Sequence, residues 1–358
     1  MPRLIDPAIA RSVARRVGGD SGGQGSYLLD RLRRDLEVAV PRSEALVAEA
    51  SGIPAPTPTG WHLIGRGEWA EVNINGMITL LKPLADRFGP RLSNLPFPVR
   101  YAQRAIVSAE VGVLLGYVSR RVLGQYDLLV TEGGPGRRRS PDRSAGGALY
   151  FVGRNMVETE QRLGLIPEDF ALWVSVHEVT HRFQFAGVPW LRPRFFGLVE
   201  EYLDSVELDA RSFAKRLAEA GRRLARREIP ADEKNPMYLL ASTEQRRVLD
   251  EIQALMSVVE GHGNFVMDKV GAQVIPSFTR MRRMFQARRE QQSAIQKAFG
   301  HVIGLEMKMR QYEVGQRFCE SVWARGGAAA LGQLWVSHDQ FPSLAELQEP
   351  EWWLQRVA

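Results

Sequence analysis

Cysteine is almost absent from this sequence: Cys319 is the single one in 358 residues, so no disulfide can form within the chain. Such sparing use of cysteine is typical of proteins that work in a reducing compartment. Cys319 lies in the helix-like segment QRFCESVW, where we predict a small buried hydrophobic side chain and not a nucleophile. The cysteine content therefore predicts a cytoplasmic protein.

Long apolar runs are also lacking, and none approaches the roughly 20 residues that a membrane-spanning helix needs. The first residues include several arginines but no continuous apolar segment, so we predict no signal peptide. Hydrophobic residues make up 44% of the chain and charged residues 25%, as in soluble globular proteins. These features predict a protein without a membrane partner.

An acidic excess is lacking as well, since the formal net charge is +6. A basic protein could bind nucleic acid or acidic substrates. The arginines, however, cluster on helix-like segments at 222–228 and 280–290, where acidic residues are interleaved, and no motif of a nucleic-acid-binding module is present. We therefore predict solvated helix faces and no nucleic-acid partner. Nucleic-acid binding remains an alternative based on charge alone, which the salt dependence of binding would test.

Most of the chain has the patterning of helices. Residues 27–40 repeat apolar side chains at three- and four-residue spacing and predict a helix that ends at Pro41. The three prolines and two glycines of 51–60 predict a rigid connector. Small and apolar residues fill most positions of 100–124, which predicts a helix buried on most sides. The expected fold class is therefore mainly α, with a small β-sheet.

Two short runs supply that sheet. Residues 126–131 and 148–153 are rich in β-forming residues and predict strands. Between them, the glycines, prolines and arginines of 132–147 predict a mobile loop; a phosphate-binding loop is the alternative, but its Gly-Lys-Ser/Thr signature is missing. We predict an N-terminal helical region at 1–131, this loop, and a metal-site region at 148–358, all in one compact unit.

The segment LWVSVHEVTHRFQF carries the strongest functional signal. It contains His177 and His181, with Glu178 directly after the first histidine. On a helix the two histidines are about 40° apart, so both imidazoles can bind one tetrahedral Zn²⁺. Glu178 is rotated by about 100° from His177. Its carboxylate would lie beside the metal, where a general base for hydrolysis belongs.

An amphipathic helix that carries two histidines by chance is the alternative. The neighbouring side chains are mostly Val, Trp and Phe, so this helix has little polar surface. Burying two histidines and a glutamate among them is costly unless a partner such as a metal ion satisfies them. The surroundings therefore favour a zinc site.

A catalytic zinc site needs a third protein ligand. The extended metzincin pattern would need glycine at position 184 and histidine at 187, where the chain has Gln184 and Gly187, so it does not apply. Glu201 follows His181 by 20 residues, a spacing that resembles thermolysin-like enzymes. Its acidic neighbours, however, are typical of a solvated helix.

Glu260 is the preferred third ligand. It lies in an apolar segment, SVVEGHGNFVM, where Gly261 and Gly263 suggest the close approach of another backbone. The EGHG stretch also resembles the surroundings of the ligand glutamate in gluzincin aminopeptidases. His262 is the chief alternative, but on a regular helix it is about 200° from Glu260 and cannot face the same ion. Glu201 stays the second alternative.

Several stretches together resemble the zincin-like metallopeptidase type 2 family: YFVGRNM, LWVSVHEVTHRFQFAGVPWLRPRF, MSVVEGHGNFVMD, GLEMKMRQYEVGQRF and EPEWWLQRVA. Members of that family are candidate hydrolases of actinobacteria and Chloroflexi, often labelled as associated with deazaflavin coenzyme biosynthesis. The resemblance covers nearly the whole chain. It implies a zincin-like (α+β) metal-site core with added helices.

Further polar residues are candidates for supporting roles. Asn264 and Asp268 follow Glu260 at helical spacing and could bind the second nitrogen of a ligand histidine. Zincins often use a tyrosine or histidine to polarise a carbonyl, and the resemblance offers Tyr312, or else Lys308, for this task. A core position is the alternative for a helical tyrosine.

These features predict a zinc-dependent hydrolase, specifically a metallopeptidase acting on a peptide or a small amide. Zinc would activate a water molecule, and Glu178 would take its proton as the general base. The alternative is a non-catalytic protein that keeps a zincin scaffold for binding or regulation. The presence of Glu178 argues against it, because a structural zinc site needs no base.

Overall fold

A computed structural model of the chain describes residues 4–19, 26–93, 96–128, 147–206, 222, 241–290 and 305–357. Within these residues the fold is mainly helical and contains a small mixed sheet, which confirms the predicted fold class. Apart from Gly147, the loop predicted at 132–147 lies outside the described residues.

The helices in the described part of the chain are α1 (Pro7–Gly18), α2 (Ser26–Ala50), α3 (Arg66–Leu80), α4 (Lys82–Ser93), α5 (Phe97–Ser119), α6 (Gly153–Leu163), α7 (Pro167–Gly187), α8 (Leu191–Asp204), α9 (Thr243–Val274), α10 (Phe278–Glu290), α11 (Leu305–Gly332), α12 (Leu344–Gln348) and α13 (Pro350–Val357). Short 3₁₀ turns follow α11 at Gln333–Trp335 and His338–Gln340.

Three short strands form the sheet in the order β1 (Trp61–Ile64), β3 (Ala148–Val152), β2 (Gly124–Asp127). The central strand β3 pairs in parallel with β1 and antiparallel with β2, and all of its residues are buried, as its continuous apolar sequence requires. Strand β3 falls at the predicted run 148–153, whereas β2 begins two residues before the predicted run 126–131 and shares only residues 126 and 127 with it. Strand β1 was not predicted, because its four residues directly follow the proline-rich connector.

The chain divides into two units: Met1–Arg192 with His262–Gln291, and Pro193–Gly261 with Gln292–Ala358. In the first unit a buried apolar cluster joins the sheet to α1, α3 and α5. In the second, the rings of Phe318 and Trp353 pack edge to face with centroids 5.3 Å apart. Cys319 is buried in the same helix as Phe318, as predicted, and burial raises the pKa of its thiol.

Helix α2 continues through Pro41, so the prediction that it ends there was wrong. The buried side chains of Leu32, Leu36 and Val40 lie before the proline, and that of Val47 lies after it on the same face. This face packs against α7. Because burying several large side chains outweighs the roughly 3 kcal/mol that an interior proline costs, the helix is not interrupted.

Helix α5 is buried on one side only, contrary to the prediction that most of its sides are covered. Gly112 and Gly116 allow it to approach the backbone of α1 at Ala10 and Ala14. Large apolar side chains elsewhere on this helix are exposed, namely those of Phe97, Val99, Tyr101, Ile106, Val107 and Val113. Small residues in the sequence therefore marked one close contact and not general burial. None of the described helices has both the length and the apolar character needed to span a bilayer.

Candidate metal centre

Helix α7 positions the histidine motif. It begins at Pro167 with Glu168 and Asp169 in its first turn and ends at Gly187, close to the predicted limits. Apolar side chains on several of its sides are buried, including Val176, Val179 and Phe183. The helix is therefore a rigid core element, and its regular geometry fixes which side chains share a face.

The rings of His177 and His181 lie side by side on α7. Their centroids are 4.6 Å apart, the ring planes are inclined by 83°, and the two Nε2 atoms are 3.1 Å apart. Both side chains are half-buried. The two Nε2 atoms therefore face the same small space beside the helix.

Glu260 joins the two histidines. One ligand atom each from His177, His181 and Glu260 lie within 4.8 Å of one another. Helix α9 brings Glu260 there because it passes close to α7: a Cβ atom on Gly263 would lie 3.2 Å from Cε1 of both histidine rings. Glycine at this position allows the approach that the sequence suggested. The structure thus brings the three predicted ligands together, and metal binding by them stays a prediction.

The donor atoms fit a zinc ion. Two imidazole nitrogens and one carboxylate oxygen are a common ligand set of catalytic zinc. In a tetrahedral site with bonds of 2.0–2.1 Å, two ligand nitrogens are separated by about 3.3 Å. The Nε2 atoms of His177 and His181 are 3.1 Å apart, close to that value. The two imidazoles therefore need little movement to hold such an ion, and a carboxylate oxygen of Glu260 lies within 4.8 Å of their ligand atoms.

The two alternative third ligands lie elsewhere. Glu201, on α8, forms an ion pair with Arg247, whose side chain is 53% exposed to solvent. His262, on α9, is fully buried and donates a hydrogen bond from Nε2 to the carbonyl oxygen of Ser51 over 3.3 Å. Among the described residues, the cluster at His177 is the one group of histidine, cysteine or acidic side chains with metal-site spacing.

Glu178 lies under the first residue of strand β2. Its side chain is only 6% exposed, and a Cβ atom on Gly124 would lie 2.6 to 2.8 Å from its Cγ, Cδ and Oε1 atoms. A strand therefore packs beside the histidine helix, and Gly124 leaves room for the carboxylate. Glu178 directly follows His177 on α7, and its role as a general base stays a prediction.

Two residues near the histidines were not assigned their roles by sequence reasoning. The amide oxygen of Gln184 lies 2.9 Å from Nδ1 of His181, and its amide nitrogen lies 3.1 Å from Nδ1 of His262. Burial lowers the pKa of His262 to about 3, so this ring is neutral. The position of Gln184, three residues after His181 on a helix, was the signal that could have identified it.

The other supporting candidates differ in position. Asp268 pairs with Arg282, with 3.3 Å between the charged atoms. Asn264 is half-buried on α9. The side chains of Tyr312 and Lys308 lie outside the described part of the structure, so their predicted role in polarising a carbonyl stays a prediction.

Gly263→Ala is expected to weaken zinc binding by about 10–100-fold, the range that disturbing the orientation of a ligand costs. The new methyl group would press on both histidine rings at a helix position where alanine itself is favourable. Chelator competition would measure the change. Gly197→Ala on α8, where an added Cβ atom meets nothing within 4 Å, is the matched control. Equal zinc affinity of the two variants would contradict the close approach of α9 to the histidines.

The chain is similar to known proteins over nearly its whole length. The sequence matches the family described as zincin-like metallopeptidase over residues 5–354. It is also similar to the crystal structure of a candidate hydrolase with a novel fold from Chloroflexus aurantiacus. The two chains are 29% identical and superpose with a TM-score of 0.68, over 99% of this chain and 98% of the other. A comparison with curated proteins finds no match.

Proposed function

Because the chain belongs to the zincin-like metallopeptidase family, we propose that it is a zinc-dependent hydrolase that cleaves peptide or small amide substrates. The observation that carries the proposal is the group of His177, His181 and Glu260, with Glu178 buried beside it on the same helix. These four residues would supply three zinc ligands and a general base, the groups that a protein contributes to zinc-assisted hydrolysis. The similar Chloroflexus protein, also described as a candidate hydrolase, supports the reaction class.

A bound zinc ion supplies a Lewis acid that polarises the scissile carbonyl and makes water more acidic. The remaining chemistry belongs to Glu178. Its carboxylate takes a proton from the attacking water as the new C–O bond forms, and then gives that proton to the amine nitrogen as the C–N bond breaks. Gly124 lies against the carboxylate and limits its movement, which favours proton transfer over a fixed distance.

The position of β2 supports a peptide substrate. In the described sheet, β2 is an edge strand, paired with β3 on one side. An extended peptide can add to such an edge through backbone hydrogen bonds. Because Gly124 at the start of β2 touches Glu178, a peptide bound along this strand would pass next to the base.

The test is metal analysis of the purified protein combined with a screen of peptide and amide substrates by mass spectrometry. We expect about one zinc ion per chain, cleavage of some substrates, loss of cleavage after chelation, and recovery when zinc is restored. A protein without zinc affinity would overturn the proposal. Zinc binding without hydrolysis of any peptide or amide would favour the non-catalytic scaffold instead.

A further inference from the structure

We propose that Gln184 and His262 connect His181 to the backbone carbonyl of Ser51 and thereby fix the proton of His181 on Nδ1. This inference rests on the proposed function. A proton fixed on Nδ1 leaves the lone pair of Nε2 of His181 available to bind the proposed metal ion. Gln184 and His262 are positioning residues here, since neither touches the reacting atoms.

Three successive hydrogen bonds make up this connection. Nδ1 of His181 lies 2.9 Å from the amide oxygen of Gln184, and the amide nitrogen of Gln184 lies 3.1 Å from Nδ1 of His262. Nε2 of His262 lies 3.3 Å from the carbonyl oxygen of Ser51. Gln184, His262 and Ser51 are all fully buried, so bulk water does not compete for these bonds.

The carbonyl at one end decides the direction of every bond. A carbonyl oxygen can only accept, so Nε2 of His262 carries the ring proton and Nδ1 of that ring is an acceptor. The amide nitrogen of Gln184 donates to this acceptor. Its amide oxygen must then face Nδ1 of His181 and accept that proton. The reversed amide would set its oxygen against the Nδ1 lone pair of His262, two acceptors 3.1 Å apart.

Ser51, at the end of the connection, is itself held in place by hydrogen bonds. The backbone nitrogen of Ser51 donates to Val47 over 2.9 Å at the end of α2, and its hydroxyl oxygen accepts from the backbone of Ile53 over 3.2 Å. Further along the connector, Arg182 of α7 donates to the carbonyl oxygen of Thr57 over 2.7 Å. The carbonyl of Ser51 is thus tied to the same helix that carries His181.

The expected effect on zinc binding depends on the lone pair of Nε2 of His181. Nε2 of His181 faces Nε2 of His177 at 3.1 Å, so it must keep its lone pair to bind a metal at that point. Outer hydrogen bonds of this kind change metal affinity by about 10–100-fold when they are removed. Losing the connection should therefore shift the proton of His181 and weaken zinc binding together.

The experiment compares wild type with His262→Phe and Gln184→Met, which keep side-chain size and remove the hydrogen bonds. ¹⁵N-histidine NMR of the metal-free proteins should show the Nδ1–H tautomer of His181 in wild type and a shift towards Nε2–H in both variants. Chelator competition should show zinc affinity about 10–100-fold lower in the variants. His62→Phe is the matched control, since its ring stacks on Tyr150 and takes no part in the connection.

The outcomes separate this inference from the proposed function. Wild-type protein with the Nε2–H tautomer at His181 overturns the inference, and so do variants that keep both the wild-type tautomer and the wild-type zinc affinity. If wild type binds no zinc but the tautomer shifts as expected, the proposed function fails while the connection stands. The wild-type spectrum decides the question even if one variant does not fold.

Discussion

Glu178→Gln should bind zinc as tightly as the wild type and lose hydrolytic turnover by about 10²–10⁴-fold, the usual contribution of a general base. Glutamine has nearly the same shape, so it fits under Gly124, but it cannot take a proton from water. The three predicted ligands are untouched. Zinc content and the turnover number on the best substrate from the screen would be measured together.

Glu168→Gln is the matched control, because Glu168 is an exposed residue in the first turn of the same helix. It should leave both zinc binding and turnover close to the wild-type values. A Glu178→Gln protein with wild-type turnover would remove Glu178 from the mechanism and favour the non-catalytic scaffold.

Glu260→Gln should lower zinc affinity by more than about 100-fold, beyond the cost of losing an outer hydrogen bond. The substitution replaces an anionic oxygen ligand by a neutral amide and leaves His177 and His181 as the remaining pair. Chelator competition on the metal-free protein would give the affinity, and far-ultraviolet circular dichroism would confirm that the helices remain.

Glu201→Gln is the sharpest control for this variant, because Glu201 was the competing ligand and has the spacing that resembles other zincins. Its ion pair with Arg247 is at the surface, so its removal should leave zinc affinity unchanged. A protein that tolerates Glu260→Gln but loses zinc through Glu201→Gln would show that the wrong glutamate has been chosen.

The sequence predicted best those features that depend on the residues of a single helix. The start of α7 at Pro167, its end at Gly187, and the common face of His177 and His181 all follow from local rules. The choice of Glu260 over Glu201 also came from local context. An apolar segment with glycines at 261 and 263 indicated a buried helix in close contact, and the structure places Gly263 against both histidine rings.

What could not be predicted depends on contacts between distant segments. Helix α2 passes through Pro41 because α7 covers one face of it, and nothing local reports that partner. Strand β1 exists because β3, more than 80 residues later, pairs with it. The hydrogen bond between Gln184 and His262 likewise joins residues 78 positions apart, so no local pattern relates the two.

The separation of the ligands along the chain has a consequence for biosynthesis. When α7 has just emerged from the ribosome, the nascent chain carries the two imidazoles of the proposed metal site. The carboxylate of Glu260 is synthesised 79 residues after His181. Helix α9 must also dock before Glu260 can reach the histidines. Early in synthesis the chain therefore offers only a weak two-nitrogen chelate. The proposed three-ligand set is complete only after α9 has docked, so we expect tight zinc binding only at that stage.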